Sequence, residues 1–230
     1  MNHSFQQIAA SLPSEKNRSD TLWVRYVLRK LSFFVTWILI RFRLTSWHVS
    51  VFSIFIPIIS LYYWIQLNPV TASILLMCWL LFDCVDGNIA RLEGEKIAGP
   101  FIDASSGYMM ISLYSIGIGI YLDLMNQTFY WISIPWFTFL GGIASVFNLM
   151  ARLYHQKFKN VVQNEDSDGT STGILRQIEK NIGVGGFLTP VTFMGVLTGH
   201  LQWIFIFYCF YSLLLYLRTA FTLLVRSKNE

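Results

Sequence analysis

Long apolar segments dominate this sequence and leave few options for its fold. Six such segments are separated by more polar connections, and they cover residues 47–66, 70–85, 99–125, 130–150, 187–199 and 202–225. A helix needs roughly 20 mainly apolar residues to cross the hydrocarbon core of a bilayer. Most of the segments approach or exceed that length, and the fifth is short or partly fused with its neighbour. The pattern predicts an all-α integral membrane protein with six transmembrane helices.

The composition excludes an ordinary soluble domain. Of the 230 residues, 54% are hydrophobic and only 13% are charged, and the mean hydropathy is +0.48. Soluble domains carry about 25% charged residues. The net charge of +4 is therefore interpreted as attraction to anionic lipid, and no nucleic-acid partner is expected.

The chain divides into four parts by composition. Residues 1–20 are polar and are expected to form a flexible N-terminus, residues 46–225 form the membrane domain, and residues 226–230 are a C-terminal tail. Residues 21–45 combine aromatic and aliphatic side chains with five cations, but the apolar run between Lys30 and Arg41 is too short to span a bilayer. An amphipathic juxtamembrane helix lying in the membrane surface is predicted there.

The distribution of cations predicts the orientation. All 17 Lys and Arg residues lie before the first span, between the second and third, between the fourth and fifth, or from Arg218 onward. Cytoplasmic loops of membrane proteins carry an excess of Lys and Arg. Both termini and the connection between the second and third spans are therefore expected on the cytoplasmic side.

Charged residues cluster around that connection. If residues 83–91 are helical, Asp83 and Asp86 share one face, and Gly87 continues it one turn on. On the next segment Gly99, Asp103 and Gly107 are spaced four apart and form a second stripe whose glycines allow close packing. Packing of the two segments is expected to hold three carboxylates around one point.

Ionisable groups beside membrane spans are costly, and they usually mark a functional site. Carboxylate oxygens suit hard cations such as Mg²⁺ or Mn²⁺. Arg91 can bind a phosphate through two parallel hydrogen bonds. The residues therefore indicate a metal-bound diphosphate substrate, although Asp83 and Asp86 also fit a simpler interpretation as polar caps of a membrane helix near water.

An ordered set of positions runs through both stripes, namely Asp83, Asp86, Gly87, Ala90, Arg91, Gly99 and Asp103. Their order and spacing resemble the signature of the CDP-alcohol phosphotransferases, membrane enzymes that make phospholipids and related phosphodiesters. The chain departs from that signature in two ways. Gly107 stands where the family has a fourth aspartate, and the spacer between Arg91 and Gly99 is one residue shorter than usual.

The resemblance implies six membrane helices, a homodimer and an active site open to the cytoplasm. It implies that a substituted phosphate group moves from a CDP-alcohol donor to a lipid or polar acceptor, through its hydroxyl or phosphate, with release of CMP. The metal ligands would be Asp83, Asp86 and Asp103, and Asp103 and Arg91 would be the catalytic residues. Gly87, Ala90 and Arg91 would seat the donor.

The missing fourth aspartate leaves the general base open. His155 is one candidate because histidine titrates in the useful range, and its simpler interpretation is an interfacial histidine. Arg152 and Lys157 are candidates for binding an acceptor phosphate, or they are ordinary cytoplasmic anchors. Two alternatives to a transferase remain, a metal-dependent membrane hydrolase of a nucleotide diphosphate and a non-catalytic nucleotide-binding relative.

Overall fold

The structure is a computed structural model that describes residues 4–94, 99–125, 135–161, 181 and 183–228. About 90% of these described residues are helical, and the described ranges contain no strand. The prediction of an all-α protein is confirmed. Nine α-helices are described, and they cover α1 Phe5–Ala10, α2 Ser14–Ser19, α3 Arg29–Arg41, α4 Ser46–Ile65, α5 Pro69–Glu93, α6 Gly99–Met125, α7 Trp136–Val161, α8 Thr189–Thr198 and α9 Leu201–Lys228. Single π-helical turns, Val24–Leu28 and Val184–Leu188, lead into α3 and α8.

Five of the described helices are long and apolar enough to cross a membrane: Ser46–Ile65, Pro69–Glu93, Phe101–Met125, Trp136–Tyr154 and Leu201–Val225. These helices indicate a multi-pass membrane protein. The segment predicted as the fifth span lies in a shorter apolar helix, Gly185–Thr198. The count of six spans therefore stays a prediction.

Helix α5 continues well past the end predicted for the second span. It begins at Pro69, whose ring occupies the first turn, and the Asn68 side chain accepts a hydrogen bond from the Thr71 N–H at 3.2 Å. It ends at Glu93, before Gly94 with its positive φ of 88°. Asp83, Asp86 and Arg91 therefore belong to one continuous helix.

The membrane helices pack around a core of large buried side chains, including Trp64, Leu76, Tyr114, Phe205 and Tyr208. Helices α6 and α7 approach each other most closely at two glycines. A Cβ built on Gly119 would lie 2.4 Å from the Phe137 carbonyl oxygen, and one on Gly141 would lie 2.3 Å from the Ser115 carbonyl oxygen. Small residues at such contacts let the two backbones meet. The position of α6, which carries Asp103, depends on this contact.

The N-terminal segment is attached to the membrane domain. Its first helix has a capping box, in which the Gln7 N–H donates to Ser4 Oγ and the Ser4 N–H donates to Gln7 Oε1. Further along, Thr21 Oγ1 donates to the Gly185 carbonyl at 3.0 Å, and the Leu22 N–H donates to Asn181 Oδ1 at 2.8 Å. Two short helices, α1 and α2, thus occupy residues 1–20, which were expected to be flexible, and the tethers follow directly after them. The flexibility of residues 1–20 stays a prediction.

Helix α3 reverses the usual arrangement of a surface helix. Ser32 and Thr36 are fully buried against the membrane domain, whereas Leu31 and Phe34 are about half exposed. The Arg41 guanidinium lies 3.5 Å from the centroid of the Trp37 ring. Outward apolar side chains with a cation at the helix end are consistent with the predicted interfacial helix, since lipid can cover them.

Candidate active site

Helices α5 and α6 bring the three predicted carboxylates to one cavity. Asp83, Asp86 and Asp103 all line a cavity of about 320 Å³, together with Gly87. The acidic cavity, as we call it, has further walls formed by the N-terminal segment and α3, including Lys16, Ser19, Asp20, Thr21 and Arg29. The spacing of the aspartates predicted their convergence, because each stripe repeats once per helical turn.

Asp86 is oriented by the neighbouring helix α4. Its side chain is only 7% exposed, and Ser50 Oγ donates to one carboxylate oxygen at 2.9 Å. A buried carboxylate requires such partners, because an unpaired one would lose its hydration without compensation. Ser50 was not among the predicted site residues, and its only signal in the sequence is a hydroxyl within an apolar helix.

Asp83 and Asp103 come from different helices, Asp83 from α5 and Asp103 from α6. Their carboxyl groups are close enough to share a hydrogen bond, and Asp103 is exposed while Asp83 is partly buried. Two carboxylates this close repel each other unless a proton or a cation lies between them. This pair is therefore the part of the cavity where a cation would gain most.

Arg29 supplies a permanent positive charge in the opposite wall. It is 5% exposed, and its Nε donates to Asp20 Oδ2 at 2.6 Å. Burial acts to lower the pKa of Arg29, but the Asp20 hydrogen bond and nearby carboxylates outweigh it and raise the pKa above its usual value. The buried ion pair fastens α3 to the N-terminal segment.

Arg91 belongs to a separate polar cluster. Its Nη2 donates to Asn88 Oδ1 at 2.5 Å, and Asn88 Nδ2 contacts the hydroxyls of Ser32 at 3.0 Å and Thr36 at 3.1 Å. Asn88 is fully buried, and Arg91 Nε is buried with no partner in the part of the chain that is described. Arg91 does not itself line the acidic cavity, but its Nη1 lies beside Gly87, which does.

Of the two other residues predicted to seat the CDP-alcohol donor, one lines the acidic cavity and one does not. Gly87 lines the acidic cavity, and a Cβ built on it would lie 3.5 Å from Arg91 Nη1. Ala90 is half-buried and is not part of the described lining. The link from Asn88 to α3 was missed, because Ser32 and Thr36 look like ordinary small residues of an amphipathic helix.

Gly107 faces a cation. A Cβ built on it would lie 3.9 Å from Arg152 Nη1, and no other described atom beyond its own stretch of helix comes within 4 Å. Arg152 lines a second, larger cavity of about 640 Å³, which we call the Arg152 cavity, together with polar residues that include Tyr108, Asn148, Gln156 and Tyr208. The Tyr108 hydroxyl donates to Gln156 Oε1 at 2.5 Å. A positive group therefore lies beside the position where the resembling family has an aspartate.

The two cavities adjoin each other. Both are lined by Thr21 and Gly185, which are joined by the 3.0 Å hydrogen bond described above. Lys157 is exposed and is absent from the described lining of both cavities. His155 follows Arg152 on α7, but its side chain lies outside the described residues.

The fit to a divalent metal is uneven. The cavity offers hard carboxylate oxygens, which are the ligands that Mg²⁺ and Mn²⁺ prefer. Among the described side chains, however, no three His, Cys, Asp or Glu residues are grouped closely enough to hold a metal ion. The donor chemistry suits the ion, and metal binding by Asp83, Asp86 and Asp103 stays a prediction.

Comparison with known proteins adds no family to this geometry. No protein-family model matches the chain, and no curated protein is significantly similar to it. The assignment to a class therefore depends on the motif and on the cavities.

Proposed function

We propose that this protein is a membrane transferase of the CDP-alcohol phosphotransferase type. It would move a substituted phosphate group from a CDP-alcohol donor to an acceptor and release CMP, in the synthesis of phospholipids or related phosphodiesters. The observation that carries this proposal is the convergence of Asp83, Asp86 and Asp103, from two consecutive membrane helices, on one cavity. Clustered carboxylates beside membrane spans are costly unless they serve a function.

The acidic cavity would hold the donor diphosphate. Asp83, Asp86 and Asp103 would hold Mg²⁺ or Mn²⁺, and such an ion neutralises charge on phosphate oxygens. Gly87 lines the cavity without a side chain, and the Arg91 guanidinium, whose Nη1 lies beside Gly87, would bind a phosphate oxygen. Ala90 would contribute only its small size.

The Arg152 cavity would hold the acceptor. Its guanidinium, hydroxyl and amide groups suit a polar or anionic head group. An oxygen of the acceptor would attack the donor phosphorus that carries the alcohol. The bond from this phosphorus to the bridging oxygen of the diphosphate would break, and the bridging oxygen would leave as part of CMP.

Gly107 cannot accept the proton that a hydroxyl acceptor loses when it forms a phosphodiester. An acceptor whose attacking oxygen is already anionic, such as a phosphate, has no proton to lose and would form a diphosphate linkage, and Arg152 would attract it. His155 stays the candidate base for a hydroxyl acceptor. Lys157 would at most steer an anionic acceptor from outside the cavity, since it is exposed.

The proposed function carries expectations about the number of spans, the oligomeric state and the orientation in the membrane. We expect six spans, an interfacial helix within residues 21–45, a homodimer, and both termini and the site on the cytoplasmic side. All 17 Lys and Arg residues lie before the first span, in the second-to-third and fourth-to-fifth connections, or from Arg218 onward, and this distribution supports the orientation.

CMP release by the purified protein tests the function. The protein in detergent or liposomes is given Mg²⁺ or Mn²⁺ and a panel of CDP-alcohols, with and without lipid or polar acceptors. Acceptor-dependent CMP supports a transferase, whereas acceptor-independent CMP would mean a hydrolase. Metal-dependent CDP binding without any CMP would mean a non-catalytic relative.

A pair of variants tests the site. Asp86→Asn should abolish metal-dependent turnover, whereas Glu15→Gln removes an exposed carboxylate from α2 and should leave turnover unchanged. Normal activity of Asp86→Asn would overturn the assigned site.

A further inference from the structure

Helix α2 places a lysine at the rim of the acidic cavity. Lys16 and Ser19 line that cavity together with the three motif aspartates, although they lie more than sixty positions earlier in the chain. Lys16 is exposed to solvent, so its ammonium group is free to move at the rim. The site therefore includes a wall that does not belong to the motif helices.

This wall is held in place by three contacts just after α2. Asp20 pairs with the buried Arg29 at 2.6 Å, Thr21 donates to the Gly185 carbonyl, and the Leu22 N–H donates to Asn181. Asp20, Thr21 and Gly185 line the acidic cavity themselves. Because the tethers follow α2 immediately, Lys16 is kept near the cavity.

The two cations in the lining have different freedom. Arg29 is buried and committed to Asp20. Lys16 forms no ion pair at contact distance in the described part of the chain, and it lines the same cavity as the carboxylates of Asp83 and Asp86. If a cation bound to the carboxylates holds one end of an anion, an exposed lysine in the opposite wall can bind the oxygens at the other end.

We propose that Lys16 binds the diphosphate of the nucleotide donor at the rim of the acidic cavity. This inference rests on the proposed function, because it assigns a further contact to the same donor. A diphosphate presents anionic oxygens on both of its phosphorus atoms, so it can meet more than one wall of the cavity. Lys16 binds those that face the N-terminal segment, and the ligand class is a nucleoside diphosphate or its ester. Lys16 thus makes the N-terminal segment part of the substrate site.

Chemical labelling of lysines tests this contact without requiring turnover. The full-length protein in detergent is treated with an amine-reactive reagent, with and without CDP and Mg²⁺, and the modified lysines are quantified by mass spectrometry. Lys30 is the internal control, because it is exposed on α3 and is not part of the described lining. CDP should protect Lys16 and leave Lys30 unchanged. Equal labelling of Lys16 with and without CDP, at concentrations where CDP is bound, would overturn the proposal.

Kinetics of matched variants separate a contact from a structural role. A charge-assisted contact at an exposed site is screened by solvent and is worth up to about a fivefold change in affinity. Lys16→Gln should raise the KM for the donor by about two- to fivefold with little change in kcat, and Lys16→Arg should recover most of the loss. Arg18→Gln removes an exposed cation from the same helix outside the described lining and should behave as wild type.

The failure of this proposal differs from failure of the proposed function. If wild type releases CMP and Asp86→Asn does not, but Lys16→Gln matches Arg18→Gln, the function stands and the role of Lys16 is refuted. If no CMP is released by any protein, the transferase proposal fails. Protection of Lys16 by CDP then still supports its nucleotide contact, and the lack of protection refutes it.

Discussion

Replacing Gly107 by aspartate restores the residue that the resembling family has at this position and tests how Arg152 is used. The new Cβ meets Arg152 Nη1 at 3.9 Å and nothing closer among the described residues, so the side chain fits without displacing backbone. A carboxylate one bond further out reaches the guanidinium directly. We therefore expect the new carboxylate of Gly107→Asp to form an ion pair with Arg152, so that it is not free to act as a general base.

Two effects set the expected change in stability. Aspartate is a few tenths of a kcal/mol better than glycine within a helix. The ion pair adds about 0.2–1 kcal/mol, because Arg152 is exposed and solvent screens the attraction. Gly107→Asp should therefore be more stable than wild type by about 0.5–1.5 kcal/mol, and Gly107→Asn, which has the same shape without the charge, by less.

A double-mutant cycle isolates the pair. Thermal or chemical unfolding in detergent is measured for wild type, Gly107→Asp, Arg152→Gln and the double variant, and a coupling free energy of about 0.2–1 kcal/mol is expected. If Arg152 binds an anionic acceptor, Gly107→Asp should also raise the acceptor KM by up to about fivefold, since the carboxylate competes for the guanidinium. Zero coupling would refute the predicted contact, and a faster reaction with unchanged acceptor KM would mean that the new carboxylate acts as a base.

Two further predictions concern contacts that support the site. Asn88→Ala should raise the KM for the donor and lower the free energy of unfolding by about 1–3 kcal/mol, because the Arg91 guanidinium and two buried hydroxyls lose their common partner. Donor kinetics and chemical unfolding measure these two effects. An unaltered KM would show that Asn88 does not support donor binding. Gly141→Ala should destabilise the protein by about 1–3 kcal/mol, because its Cβ would lie 2.3 Å from the Ser115 carbonyl oxygen. Gly142→Ala meets no such contact within the same helix and should stabilise by about 0.5–1 kcal/mol through helix propensity. Equal melting temperatures of the two alanine variants would contradict the close helix contact.

The sequence predicted the neighbours of the motif aspartates but not those of the motif arginine. Asp83 and Asp86 are one turn apart, so their shared face follows from helical periodicity alone. Arg91 is on the same helix, but its long side chain has several directions open to it. Only the packing of α3 decides that the guanidinium contacts Asn88, because Ser32 and Thr36 are more than fifty positions away in the chain.

The Gly107 position shows the same division. The sequence identifies a missing carboxylate, and it shows nothing about the group that faces the gap. Arg152 reaches this point because α6 and α7 pack closely through Gly119 and Gly141. Ser50, which donates to Asp86, likewise comes from a helix that the motif does not include.

The sequence by itself determined the helical class, the apolar segments and the two acidic stripes, because these depend on hydrophobicity and on a repeat of 3.6 residues within single segments. Only the tertiary structure decided which cations face those stripes. Lys16 and Arg29 reach the acidic cavity from the N-terminal segment and α3, and Arg152 reaches Gly107 from α7. These contacts join distant parts of the chain, and they arise from how the helices pack against one another, which no local pattern encodes.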